Sequence, residues 1–104
     1  MSNVLHPNEK EFDEIVRNNE VVFVDFFASW CGPCKMLAPE IEKLADAYID
    51  KAKVLKIDVD KEPGLAARFG VQSIPTLYVF KKGSVTQRAM GYQPYPKLVS
   101  FIEG

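Results

Sequence analysis

The chain has 104 residues, 47% of them hydrophobic and 26% charged, and its net charge at pH 7 is -1. One domain spanning 1–104 is expected, large enough to bury a core without metal or disulfide staples. The near-neutral balance argues against nucleic acid or an anionic membrane as the main partner. No apolar run approaches the ~20 residues that cross a bilayer. The first ten residues hold no basic n-region and no apolar h-region, so no signal peptide is expected. The expected location is the reducing cytoplasm, where a purely structural disulfide would not persist.

Residues 3–5 carry a weak signal for an edge strand. Asn8 can cap a helix, with Glu11 in the capping-box position and Glu9 in the favourable first turn. Phe12, Ile15 and Val16 supply the apolar stripe of that helix, and Asn18-Asn19 ends it. Residues 21–27 are β-branched and aromatic, and apolar on both alternating faces. That suits a central strand covered on both sides. Asp25 interrupts it.

The pattern over 33–49 is helical. Met36, Leu37, Ile41 and Leu44 form a stripe expected in the core, while Glu42, Lys43 and Asp46 lie outside it. Pro39 falls inside this helix and predicts a kink. Residues 53–59 read as another strand, closing a right-handed βαβ unit. Glu62-Pro63 opens a short helix that Gly70 ends in the position of a left-handed cap. Residues 77–80 read as a strand, Lys82-Gly83 as a hairpin turn, and 85–90 as its antiparallel partner. Gly91 breaks that strand. Pro94 and Pro96 mark the start of a last helix whose buried face is Leu98, Val99, Phe101 and Ile102. The predicted architecture is α/β: a mixed sheet of about five strands with helices on both faces.

The only two cysteines are Cys31 and Cys34, in Trp30-Cys31-Gly32-Pro33-Cys34-Lys35. Thiols at this spacing can close a small disulfide ring or grip a metal. Cys31 falls where the strand gives way to the helix. Free backbone N–H groups and the helix dipole there stabilise a thiolate, which is the nucleophilic form. Cys34 lies one turn deeper on the same face and can attack a mixed disulfide formed at Cys31. Gly32 is read as allowing a tight entry into the helix, and Pro33 as fixing its first turn. The inner thiol needs a base. Asp25, a carboxylate in a strand expected to be buried, is the candidate, because burial should raise its pKa. Lys56, on the neighbouring strand, is its candidate partner.

At these residues the chain resembles the thioredoxin family. The likeness continues through Pro39, Lys56-Ile57-Asp58-Val59-Asp60, Ser73-Ile74-Pro75-Thr76-Leu77, Gly83 and Gly91, and so covers nearly the whole chain. It implies a thioredoxin fold and a cis Ile74-Pro75 bond lying against the cysteine pair. It also implies an apolar docking surface formed by Trp30, Gly32, Pro33, Ile74, Pro75 and Gly91. The implied partners are proteins with reducible disulfides and a thioredoxin reductase, commonly a flavoprotein carrying electrons from NADPH. No cofactor is expected on this chain, which has no nucleotide-binding glycine motif. A monomer is expected. Three positions depart from the common pattern of the family: Phe27 in place of a tryptophan, Ser73 in place of a glycine, and the large aromatic Tyr92.

Three other uses of the cysteines compete with this one. A tetrahedral metal site needs further ligands, and His6 is the only histidine, with no second C-x-x-C. No metal is therefore expected. A binding module in which the cysteines are incidental is disfavoured by Asp25 and the proline segment. An oxidising role depends on the redox potential, which residues alone do not reveal.

Overall fold

The computed structural model describes residues 2–104. Its centre is β2 (Val21–Phe27), whose β-branched and aromatic residues favour extended backbone. On one side β2 pairs in parallel with β3 (Lys53–Asp58), and on the other it pairs antiparallel with β4 (Thr76–Lys81). The two edges are β1 (Val4–Leu5), parallel to β3, and β5 (Ser84–Met90), antiparallel to β4. The order across the mixed five-stranded sheet is β1-β3-β2-β4-β5.

Side chains alternate across β2, and each face meets a different pair of helices. Phe23 packs with Leu37, Ile41 and Leu44 of α2 (Gly32–Ala47) and with Leu98 and Ile102 of α4 (Tyr95–Glu103). Val22, Val24 and Phe26 pack on the other face with Phe12 of α1 (Glu9–Asn18) and Leu65 of α3 (Pro63–Arg68). Each large apolar side chain buried this way contributes roughly 2 kcal/mol. Alternation places Asp25 on the Phe23 face, the one that α2 covers.

The ends of the elements follow their local chemistry. Asn8 and Glu11 form a complete capping box at α1. Gly70 has a φ of 62°, and the N–H groups of Gly70 and Val71 reach back to the carbonyls of Ala67 and Ala66, sealing the end of α3. Lys82 and Gly83 both have positive φ, which gives the β4–β5 hairpin the twist its strands require. Pro39 lies inside α2, which continues beyond it to Ala47.

One expected core residue is on the surface. Met36 is 65% exposed, whereas Leu37, Ile41 and Leu44 are buried. The apolar stripe includes Met36 by spacing. The sheet, however, covers the arc of α2 centred on Leu37 and Ile41, and Met36 falls outside that arc. Val99 and Phe101 of α4 are only partly buried, so Leu98 and Ile102 carry its contact with the core.

Candidate active site

β2 and β3 run parallel, so the loops that follow them leave the sheet at the same edge. The loop after β2 leads into α2 through Cys31, the N-cap residue. The Cys34 backbone N–H donates to Cys31 Sγ at 3.2 Å. This places one of the free donors of the helix start directly on the outer sulfur. Cys31 and Cys34 are joined as a disulfide, with their Cα atoms 5.2 Å apart. Both cysteines are buried, packed with Ala28 and against Phe27, Val59 and Ile74. Burial therefore does not distinguish them strongly, and the difference between them lies in the N–H donor aimed at Cys31.

Ile74-Pro75 is cis. The Ile74 carbonyl oxygen lies 3.8 Å from Cys31 Sγ. The Pro75 carbonyl accepts the Gly91 N–H at 2.8 Å, which draws the turn after β5 up to the proline segment. Gly91 has a φ of 86°, a conformation that favours glycine. Pro75 itself is buried, Ile74 and Gly91 are partly covered, and Trp30, Gly32 and Pro33 are exposed. Gly32 does not have the positive φ that would demand glycine, and a Cβ built there meets no atom within 4 Å. The tight-entry reason for this glycine thus does not hold. Its effect is to leave the surface beside Cys31 open.

Trp30 is 68% exposed, yet it is held in place by its indole Nε1–H, which donates to Asp60 Oδ2 at 2.8 Å. Asp60 is in turn held by Asp58, whose Oδ1 accepts the Asp60 N–H at 2.9 Å. Reading the residues did not single out Asp60. The parallel pairing of β2 and β3 was the available signal, because it brings the segments just past both strands together.

Asp25 is completely buried, and neither carboxylate oxygen has a hydrogen-bond partner among the described residues. Burial pushes its pKa up and the Lys56 charge offsets part of that rise, leaving it raised from 3.8 to about 7. Lys56 stands opposite Asp25 in the β2–β3 register, so both lie on the same face of the sheet. The two form no ion pair. Instead Lys56 Nζ sits 4.3 Å from the centroid of the Phe27 ring, a cation–π contact. Lys56, Phe27 and Asp58 help to line a recess of about 330 Å³ at the surface.

Among the described residues, no group of His, Cys, Asp or Glu is arranged to hold a metal ion, and no helix is long and apolar enough to cross a membrane. A Cys-x-x-Cys pair joined at the start of a helix that follows a strand of an α/β sheet is the arrangement of a thiol-disulfide oxidoreductase. Comparison with known proteins makes this specific. The thioredoxin family model matches residues 3–104. Thioredoxin from Staphylococcus saprophyticus is 47% identical over 100 residues, covering 96% of this chain and 95% of that protein. Thioredoxin from Haemophilus influenzae is 44% identical over 103 residues, covering 98% and 96%. Among solved structures, a mutant thioredoxin from Halobacterium salinarum matches with a TM-score of 0.89 and 40% identity, covering 96% of this chain and 88% of that one. Plasmodium falciparum thioredoxin matches with a TM-score of 0.88 and 38% identity, covering 95% and 96%. The chain belongs to the thioredoxin family.

Proposed function

We propose that this chain acts as a single domain, residues 1–104, that reduces disulfides in client proteins with Cys31 as nucleophile and Cys34 as resolving thiol. The observation that carries this reading is the Cys34 N–H directed at Cys31 Sγ at the start of α2. The same donor that faces the sulfur in the disulfide stabilises a thiolate there once the pair is reduced.

In the proposed cycle a client docks over Trp30, Gly32, Pro33, Ile74, Pro75 and Gly91. The Cys31 thiolate attacks one client sulfur, the client disulfide breaks, and the other client sulfur leaves as a thiolate that takes up a proton. Cys34 then loses its proton to Asp25 and attacks Cys31 Sγ. The mixed disulfide breaks, the second client sulfur leaves as a thiolate that takes up a proton, Asp25 gives up the one it accepted, and Cys31–Cys34 is left oxidised. The client has gained two electrons and two protons. Lys56 tunes Asp25 through its charge.

Family membership supports a thioredoxin reductase as the partner that restores the dithiol, a flavoprotein drawing on NADPH. It also supports a monomer that works in the cytoplasm and carries no cofactor of its own. The test is a Cys34→Ser variant incubated with a disulfide-bearing client such as insulin. The expected result is a stable client adduct on Cys31, seen by non-reducing electrophoresis and lost in Cys31→Ser. Absence of any adduct, or full insulin reduction by Cys31→Ser, would overturn the assignment of the nucleophile. The equilibrium potential of the couple against glutathione distinguishes a reductant from an oxidant.

A further inference from the structure

Ser73, Met90 and Tyr92 have no part in the cycle above, yet they stand beside it. The Ser73 hydroxyl donates to Met90 Sδ at 3.2 Å. Ser73 immediately precedes Ile74, whose carbonyl faces Cys31 Sγ. Met90 is opposite Thr76 in the β4–β5 register and immediately precedes Gly91, whose N–H is bonded to the Pro75 carbonyl. The Thr76 hydroxyl also donates back to the Ser73 carbonyl. The proline segment and the end of β5 are thus stitched together from both sides, with the thioether at the seam.

Met90 is 56% exposed and Tyr92 is 40% exposed. Both are large and uncharged, and Met90 lies against Ser73, the neighbour of the residue whose carbonyl faces Cys31 Sγ. A thioether is unbranched and polarisable, so it moulds to apolar partners of different shape. A hydroxyl donating to sulfur is a weak bond. It holds the side chain in one region of the surface and still lets its end methyl adjust.

We propose that Ser73 and Met90 form a specificity-determining pair, with Met90 providing an apolar wall for the client residue next to the reacting cysteine and Ser73 positioning that wall. The occupant is an extended client segment carrying a large aliphatic or aromatic side chain at that place. An acidic side chain there would lose its water against the thioether and gain no partner. The inference rests on the dithiol reading of the site.

The test compares two disulfide-linked peptides that differ only in having leucine or aspartate next to the reactive cysteine. Each is reduced by the pre-reduced protein, and acid-quenched second-order rates are measured. The readout is the leucine-to-aspartate rate ratio on one protein, so any general change in thiol reactivity or folded fraction cancels. A ratio of at least about tenfold is expected for the natural chain, the lower end of the preference that one apolar contact supplies. Met90→Ala should bring it close to one, and Met90→Leu should keep most of it. Ser73→Ala should at least halve the ratio, and Ser73→Thr, which retains the hydroxyl, should restore it. A ratio near one in the natural chain, or an unchanged ratio in Met90→Ala, overturns the pair. An unchanged ratio in Ser73→Ala overturns the positioning role of Ser73. If neither peptide is reduced by the natural chain, the dithiol reading itself fails, a result distinct from equal reduction of both.

Discussion

The Asp25 side chain lies in an otherwise apolar strand, with no hydrogen bond from any described residue to either carboxylate oxygen. A pKa near 7 means that it can both accept and release a proton near neutrality. If Asp25 takes the Cys34 proton, the resolving step slows as pH falls below about 7, because the carboxyl is then already protonated. Client release from a preformed mixed disulfide, followed by stopped flow between acidic and alkaline pH, should show that limb. Asp25→Asn should remove the limb and slow release at neutral pH by about 100-fold, the lower end of what a placed base supplies. Lys56→Met should move the midpoint upward, since a nearby cation favours the ionised carboxylate. A release rate with the same pH profile in Asp25→Asn would exclude the base assignment.

At the scale of elements, the clearest features in the sequence were those set by neighbours along the chain. The capping box of α1, the full extent of β2 and the Lys82-Gly83 turn are each written in a few consecutive residues. The cysteines could be placed at the start of a helix for the same reason. Features set by the meeting of distant segments were harder to read. Spacing puts Met36 on the apolar stripe of α2, but which arc the sheet covers depends on how the helix is laid across it. The bond from Trp30 to Asp60 joins two separate loops, and that from Ser73 to Met90 joins a loop to the end of β5. The cis state of Ile74-Pro75 came from family resemblance, because most X–Pro bonds are trans. The correction at Met36 can be measured. Met36→Lys should change unfolding free energy by less than about 0.5 kcal/mol, as exposed substitutions do. Leu37→Ala, one residue along, should cost about 2–5 kcal/mol by opening a cavity in the core. Urea unfolding of the two variants tests the assignment, and comparable losses would return Met36 to the interior.

For the whole molecule, the buried Asp25 carboxylate opposes folding. An acid whose pKa is higher in the folded chain than in the unfolded one contributes no penalty when both forms are protonated. The penalty grows as pH rises from about 4 to about 7, because the unfolded chain ionises first, and is constant above that. A shift from 3.8 to about 7 corresponds to roughly 4 kcal/mol at the plateau. Asp25→Asn should therefore be little different in stability from the natural chain near pH 4 and clearly more stable near pH 8. Urea unfolding at the two pH values measures the difference, and a gap that did not widen with pH would mean that Asp25 is solvated in the folded chain.

The central position of β2 has one more consequence. Paired along both sides and covered on both faces, it should be the last strand whose amide hydrogens exchange with deuterated solvent. β1, with two residues, and β5, with an open edge, should exchange far sooner. Mass-resolved exchange should therefore show a boundary just after Phe27, with slow amides up to it and faster ones in the loop that carries Trp30. The loop that leads to the reactive sulfurs would then leave from the end of the strand that opens last.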